Sequence, residues 1–153
     1  RIRSMFERFQ ILTVSSNFIE KLSDFNSCSF IAPQFKKIVT VNFIDKIRFY
    51  RSLFENNDFT QIQPGIDHIY LMLNSRNSLI KIGKSNNPSY RERTLQSQEP
   101  EIHLIAYWLA PANVEKQLHK EFTAKKIRGE WYKLGFAELE KIKVLMRVYD
   151  ASN

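Results

Sequence analysis

The sequence predicts an α+β fold: a small antiparallel β-sheet flanked by helices, preceded by a helix-rich N-terminal segment. Three observations lead there. Two runs of apolar alternation, over 68–73 ("HIYLML") and 79–83 ("LIKIG"), are separated by the polar stretch "NSRNS", the pattern of a β-hairpin. Stretches of helical apolar spacing alternate with these and later strands, giving the order strand, strand, helix, strand, helix, short strand, helix. Ten of the twelve phenylalanines lie in residues 1–63, and Gln63-Pro64-Gly65 follows at once, so a boundary is expected near residue 64.

In residues 1–63, Met5, Phe9, Phe18 and Leu22 suggest a helix that "TVSSN" interrupts, and "SCSFIAPQFKKIVTV" reads as a loop and a short strand. Asn42 is expected to cap a second helix carrying Phe43, Ile47, Tyr50 and Phe54 on one face. This segment shows no chemistry of its own. Residues 64–153 are more regular. After the hairpin, Asn87 is placed to cap a helix with Pro88 at its first position, ending near Gln98. "IHLIAYWLA" (102–110) is a third strand, long enough to be central in the sheet. A helix follows from Pro111 to near Lys126, then an extended "GEWYKL". Phe136, Leu139, Ile142, Leu145 and Tyr149 mark a C-terminal amphipathic helix.

A chain of 153 residues buries about 68–70% of its unfolded surface and folds without a disulfide or metal staple. The net charge of +7 points to an anionic partner, nucleic acid first. Its 9 basic against 6 acidic residues in 1–63, and 14 against 10 in 64–153, leave no basic tail, so a phosphate-binding surface has to be assembled by folding. Cys28 is the one cysteine, which excludes a disulfide framework and a cysteine zinc site within the chain and suggests a reducing, intracellular setting, cytoplasm or nucleus. No apolar run has the length of a membrane span, no signal-peptide pattern opens the sequence, and no membrane partner is expected. An opening Arg in place of Met suggests a piece of a longer protein.

Strand alternation offers the first chemistry. If Ile69, Leu71, Ile80 and Ile82 face the core, Tyr70 and Lys81 project together from the other face, where a neighbouring ammonium favours phenolate. Gly83 then lets a ligand approach the backbone, and the helix start after Asn87 attracts anions through its free N–H groups. Arg91, in the first helical turn, is a planar donor for phosphate. Glu115 and His119, four apart on one helix face, suit a hard cation. Each feature also has a plain structural reading: Tyr70 as a packing residue, Lys81 and Arg91 as solvated charges, Glu115 with His119 as an exposed pair, Trp131 and Tyr132 as core.

Taken together, "IYLM", "IKIGKSNNPSYRERTLQSQEP", "VEKQLHKEF" and "GEWYKL" resemble, in order and spacing, the GIY-YIG nuclease superfamily. The likeness covers about residues 67–136. It is nearest to the branch of phages and large DNA viruses in which "KIG" replaces "YIG" and a "GEWF"-like segment follows the glutamate helix. That resemblance implies a metal-dependent DNA endonuclease using one Mg²⁺ or Mn²⁺, working in a host cell if viral. By matching position, Tyr70 is the activator of the attacking water, Lys81 takes the place of the second tyrosine, Arg91 stabilises phosphate charge and Glu115 binds the metal. Gly83, Lys84, Asn87 and His119 are assigned to substrate binding, while Glu130 fits a feature of the branch. The chain departs from the pattern at His68, which stands where the first motif has glycine, and at Lys81 itself. A nucleic-acid-binding module with the same fold and no cleavage is the alternative, and residues 1–63 are the expected place for a further DNA contact or a protein partner.

Overall fold

The computed structural model describes the backbone of residues 26–32, 37–43 and 45–150, and side chains over 45–150. The helix expected near the N-terminus lies outside the described residues. The chain divides into two compact units, Arg1–Ile44 and Asp45–Asn153. In the first unit, β1 (Asn26–Ala32) and β2 (Lys37–Phe43) pair antiparallel from Asn26 opposite Phe43 to Ala32 opposite Lys37. The stretch read as a loop and one strand is thus a hairpin, which the β-branched run at Ile38–Val41 favours.

The second unit begins with α1 (Lys46–Ser52), whose cap is Asp45, accepting from the Arg48 N–H at 3.0 Å. Asn42, expected in that role, is instead a β2 residue opposite Ser27. The composition break at 64 and the division at 44/45 differ by α1 and the segment after it. These belong with the sheet because Phe49, Tyr50 and Phe54 are buried there.

The sheet has five strands: β3 (His68–Asn74), β4 (Ile80–Ser85), β5 (Ile102–Trp108), β6 (Lys126–Arg128) and β7 (Trp131–Tyr132). Their order is β5-β3-β4-β7-β6, antiparallel throughout. The α+β class expected from the alternation is therefore the observed one. All seven residues of β3 are buried, so both sheet faces are covered.

Helix α2 (Pro88–Gln96) covers one face. Its Leu95 packs with Phe59, Ile62, Tyr107 and Trp131 against a cluster of Tyr70, Met72, Ile102 and Leu104. The other face carries Ile69, Leu71, Ile80 and Ile82, all fully buried. Against it lies α3 (Ala112–Glu121), which buries Val114 and Leu118, and α4 (Phe136–Met146) buries Leu139, Ile142 and Met146. Helix α1 and the residues just after it join this layer by edge-to-face contacts, Phe49 of the helix with Phe136 (5.5 Å) and Phe54 with Trp108 (5.6 Å). Leu145, expected on the buried stripe of α4, is exposed, and Met146 takes its place.

Strand β5, long enough to be central, is an edge strand. A β-bulge between Leu71 and Met72 shifts its register, and side chains close its open groups. Glu92 accepts from the Leu104 N–H at 2.7 Å, Arg51 Nε donates to the Leu104 carbonyl at 2.9 Å, and Gln96 donates to the Ile102 carbonyl at 2.7 Å. These bonds satisfy backbone groups that a further strand would otherwise pair.

Candidate functional site

The site is built on the β3–β4 hairpin. Its register places Tyr70 directly opposite Gly83 and Met72 opposite Lys81. Tyr70 and Lys81 share a face, as alternation requires, but stand two pairs apart along the strands rather than side by side. The neighbour of Tyr70 is Gly83. A Cβ there would come within 2.5 Å of the Tyr70 hydroxyl and 2.6 Å of its ring. The glycine is needed because the tyrosine lies across it; the space expected for a ligand is filled by the phenol.

Helix α2 brings Arg91 to that phenol. Asn87 caps the helix, its Oδ1 accepting from the Tyr90 N–H at 3.0 Å, and Pro88 holds the first turn. Arg91 follows, exposed to solvent, and its guanidinium donates to the Tyr70 phenol oxygen. Burial, the strongest influence, still pushes the Tyr70 pKa up to about 12. The Arg91 hydrogen bond and charge pull it down, while the charges of Glu130 and Glu115 raise it further. The easier ionisation expected from a lysine neighbour is not what the fold produces, since Lys81 is engaged elsewhere.

Lys81 is buried, 7% exposed, and paired with the carboxylate of Glu130, with its Nζ 5.9 Å from the centre of the Trp131 ring. Glu130 lies in the turn between β6 and β7, where its carbonyl accepts from the Ile82 N–H at 3.1 Å. Glu115, half-buried in the first turn of α3, acts electrostatically on both Tyr70 and Tyr132. Tyr70, Lys81, Gly83, Arg91, Glu115 and Glu130 therefore form one neighbourhood around the β4 strand.

Three residues expected to touch substrate have other places. Lys84 pairs with Ile69 and so leaves the Tyr70 face, exposed at the strand end. His119 bonds through Nε2 to the Ile82 carbonyl at 2.9 Å and packs its ring 5.7 Å from that of Tyr132. That contact fastens α3 to β4 and occupies the Nε2 of His119. Asn87 acts through its cap. Trp131 and Tyr132 read as core and are so, half-buried and fully buried on opposite faces.

Glu130 is the member that motif spacing left without a role. Its signal was present, a glutamate four residues after Lys126 in "KIRGEWY", but the partner, Lys81, is forty-nine residues away. Two buried polar atoms have no hydrogen-bond partner among the described residues: His68 Nδ1 and the Tyr132 hydroxyl. No group of three or more His, Cys, Asp or Glu gathers among the described residues. The carboxylates of this neighbourhood are Glu115 and Glu130, and such oxygen donors suit a hard ion that keeps most of its waters rather than a structural zinc. No helix among the described residues is long and apolar enough to cross a membrane.

Residues 67–147 match the family described as the T5orf172 domain, and this span contains every member of the site. No curated protein and no solved structure matches the chain.

Proposed function

The chain belongs to the T5orf172 domain family, which spans more than half of it, and from that premise we propose that it is a GIY-YIG-type endonuclease hydrolysing phosphodiester bonds in DNA. One observation carries the reading: an exposed arginine, fixed by a capped helix start, meets a buried tyrosine lodged over a strand glycine, with Glu115 in the same electrostatic neighbourhood. A fold that needed only packing would not spend a glycine on seating this phenol against a solvent-facing guanidinium.

A scissile phosphate reaches the site from the open side of Arg91. The guanidinium grips two phosphate oxygens, and the free N–H groups at the start of α2 add positive potential as charge builds on the phosphorus oxygens. The Tyr70 phenol keeps its proton at neutral pH and serves as a fixed hydrogen-bond donor beside the reacting phosphate. Bound at Glu115, Mg²⁺ or Mn²⁺ would supply charge for the phosphate and acidify a water. The chain's formal charge of +7 favours DNA approach irrespective of sequence.

Purified protein incubated with plasmid DNA and Mg²⁺ is expected to nick or linearise it. Glu115→Ala and Arg91→Ala should each lower the rate by at least about 10²-fold, the scale of a lost transition-state contact. Cleavage that survives both substitutions overturns the reading. DNA binding without cleavage by the wild-type chain would leave the binding module, for which Arg91 and the helix start serve equally well.

A further inference from the structure

The nuclease reading leaves open which group removes the proton of the attacking water, and the site contains a better acceptor than its tyrosine. Tyr70 is 2% exposed, its oxygen is engaged by Arg91, and a phenol with a pKa of about 12 is ionised in only about one molecule in 10⁵ at pH 7. Glu130 differs on each count. Its backbone is tied to β4 through the Ile82 N–H, so the start of its side chain is fixed relative to Gly83. Its carboxylate is drawn to the Tyr70 face by buried Lys81, which is itself held beside Trp131. Yet 45% of the Glu130 side chain remains open to solvent, as a group that must take a proton and release it requires. The titratable groups around it are Lys81 on β4, Tyr70 on β3, Tyr132 on β7 and Glu115 on α3. Its charge acts on the Tyr70 phenol more strongly than that of Glu115 does.

We propose that Glu130 is the proton acceptor of the hydrolysis, aimed and held by the Lys81 ammonium. This rests on the nuclease reading and adds a residue to it. In the step, a water O–H bond breaks, its proton passes to a Glu130 carboxylate oxygen, and the water oxygen forms the new bond to phosphorus. The opposite P–O bond breaks, and the leaving oxygen keeps that electron pair and takes a proton from bulk water. Glu130 then returns its proton to solvent. Lys81 stays protonated throughout, and Tyr70 donates a hydrogen bond without changing charge.

The test is single-turnover DNA cleavage in Mg²⁺ from pH 6.5 to 9 by the wild type, Glu130→Gln, Glu130→Ala and Tyr70→Phe, with DNA affinity measured in parallel in Ca²⁺. Glu130→Gln keeps a hydrogen bond to Lys81 and should cut about 10²–10⁴-fold more slowly, with affinity within about threefold of wild type. Added formate should restore part of the Glu130→Ala rate, which a merely structural role would not allow. The wild-type and Tyr70→Phe rates should stay flat with pH. A Glu130→Gln rate within about threefold of wild type, no response to formate, or a wild-type rate climbing about tenfold per pH unit overturns the inference and leaves the nuclease reading standing. Failure of the wild type to cleave overturns both.

Discussion

Tyr70 shows how far burial outweighs a neighbouring charge. Alternation places a lysine on its face, and a lysine close by would favour phenolate. The fold gives that lysine to Glu130 and encloses the phenol, so its pKa rises from 10.0 to about 12. The consequence for stability has a definite sign. Because the folded protein holds the phenolic proton more tightly than the unfolded chain, this contribution is complete below pH 10 and is lost as the pH rises towards 12. Two pKa units correspond to about 2–3 kcal/mol. In urea unfolding, wild type should lose about that much more stability than Tyr70→Phe between pH 9 and pH 12. Equal losses in the two proteins would contradict it. Burial of this tyrosine could not be read from the strand pattern, because alternation assigns faces without saying which are covered.

Helix α2 does two jobs with different residues. Glu92 and Gln96 bond to the edge of β5, and Leu95 packs on the Tyr70 cluster, while the first turn presents Arg91 to solvent. Its direction depends on the Asn87 cap, and the two jobs can be separated there. Asn87→Ala removes the cap and should cost about 1 kcal/mol of stability along with activity. Asn87→Asp preserves the cap acceptor but adds a negative charge beside the phosphate position. It should keep the stability within a few tenths of a kcal/mol and still weaken DNA binding. Urea midpoints and DNA affinity measured on both variants check this; an Asn87→Asp protein that binds DNA as tightly as wild type would argue against phosphate at this helix start. The cap, Pro88 and the hairpin were legible because their signals lie within a few residues. The extra strand after α3 and the edge position of β5 were not, since both depend on partners far along the chain.

On the proposed nuclease function, the even spread of basic residues predicts that DNA affinity is shared among several phosphate contacts rather than carried by a tail. The logarithm of the binding constant should fall steeply with the logarithm of salt concentration, by about 0.9 for each phosphate neutralised. Arg91→Ala should reduce that slope by about one unit, whereas Lys84→Ala, on the far face, should leave it nearer the wild-type value. A slope unchanged by Arg91→Ala would remove Arg91 from the phosphate.

Read alone, the chain already determined the α+β class, the hairpin and the capped helix, because strand period, helix period and caps are written in neighbouring residues, while Tyr70, Lys81, Arg91 and Glu115 were singled out by the family resemblance. Only the tertiary structure decided what those groups do to one another. It seated Tyr70 over Gly83, gave Lys81 to Glu130, turned Lys84 to the opposite face and used His119 to fasten α3 to the sheet. Each of these follows from register and packing between segments distant in sequence, and burial set by such packing, not residue type, decides whether a phenol or a carboxylate is free to take a proton.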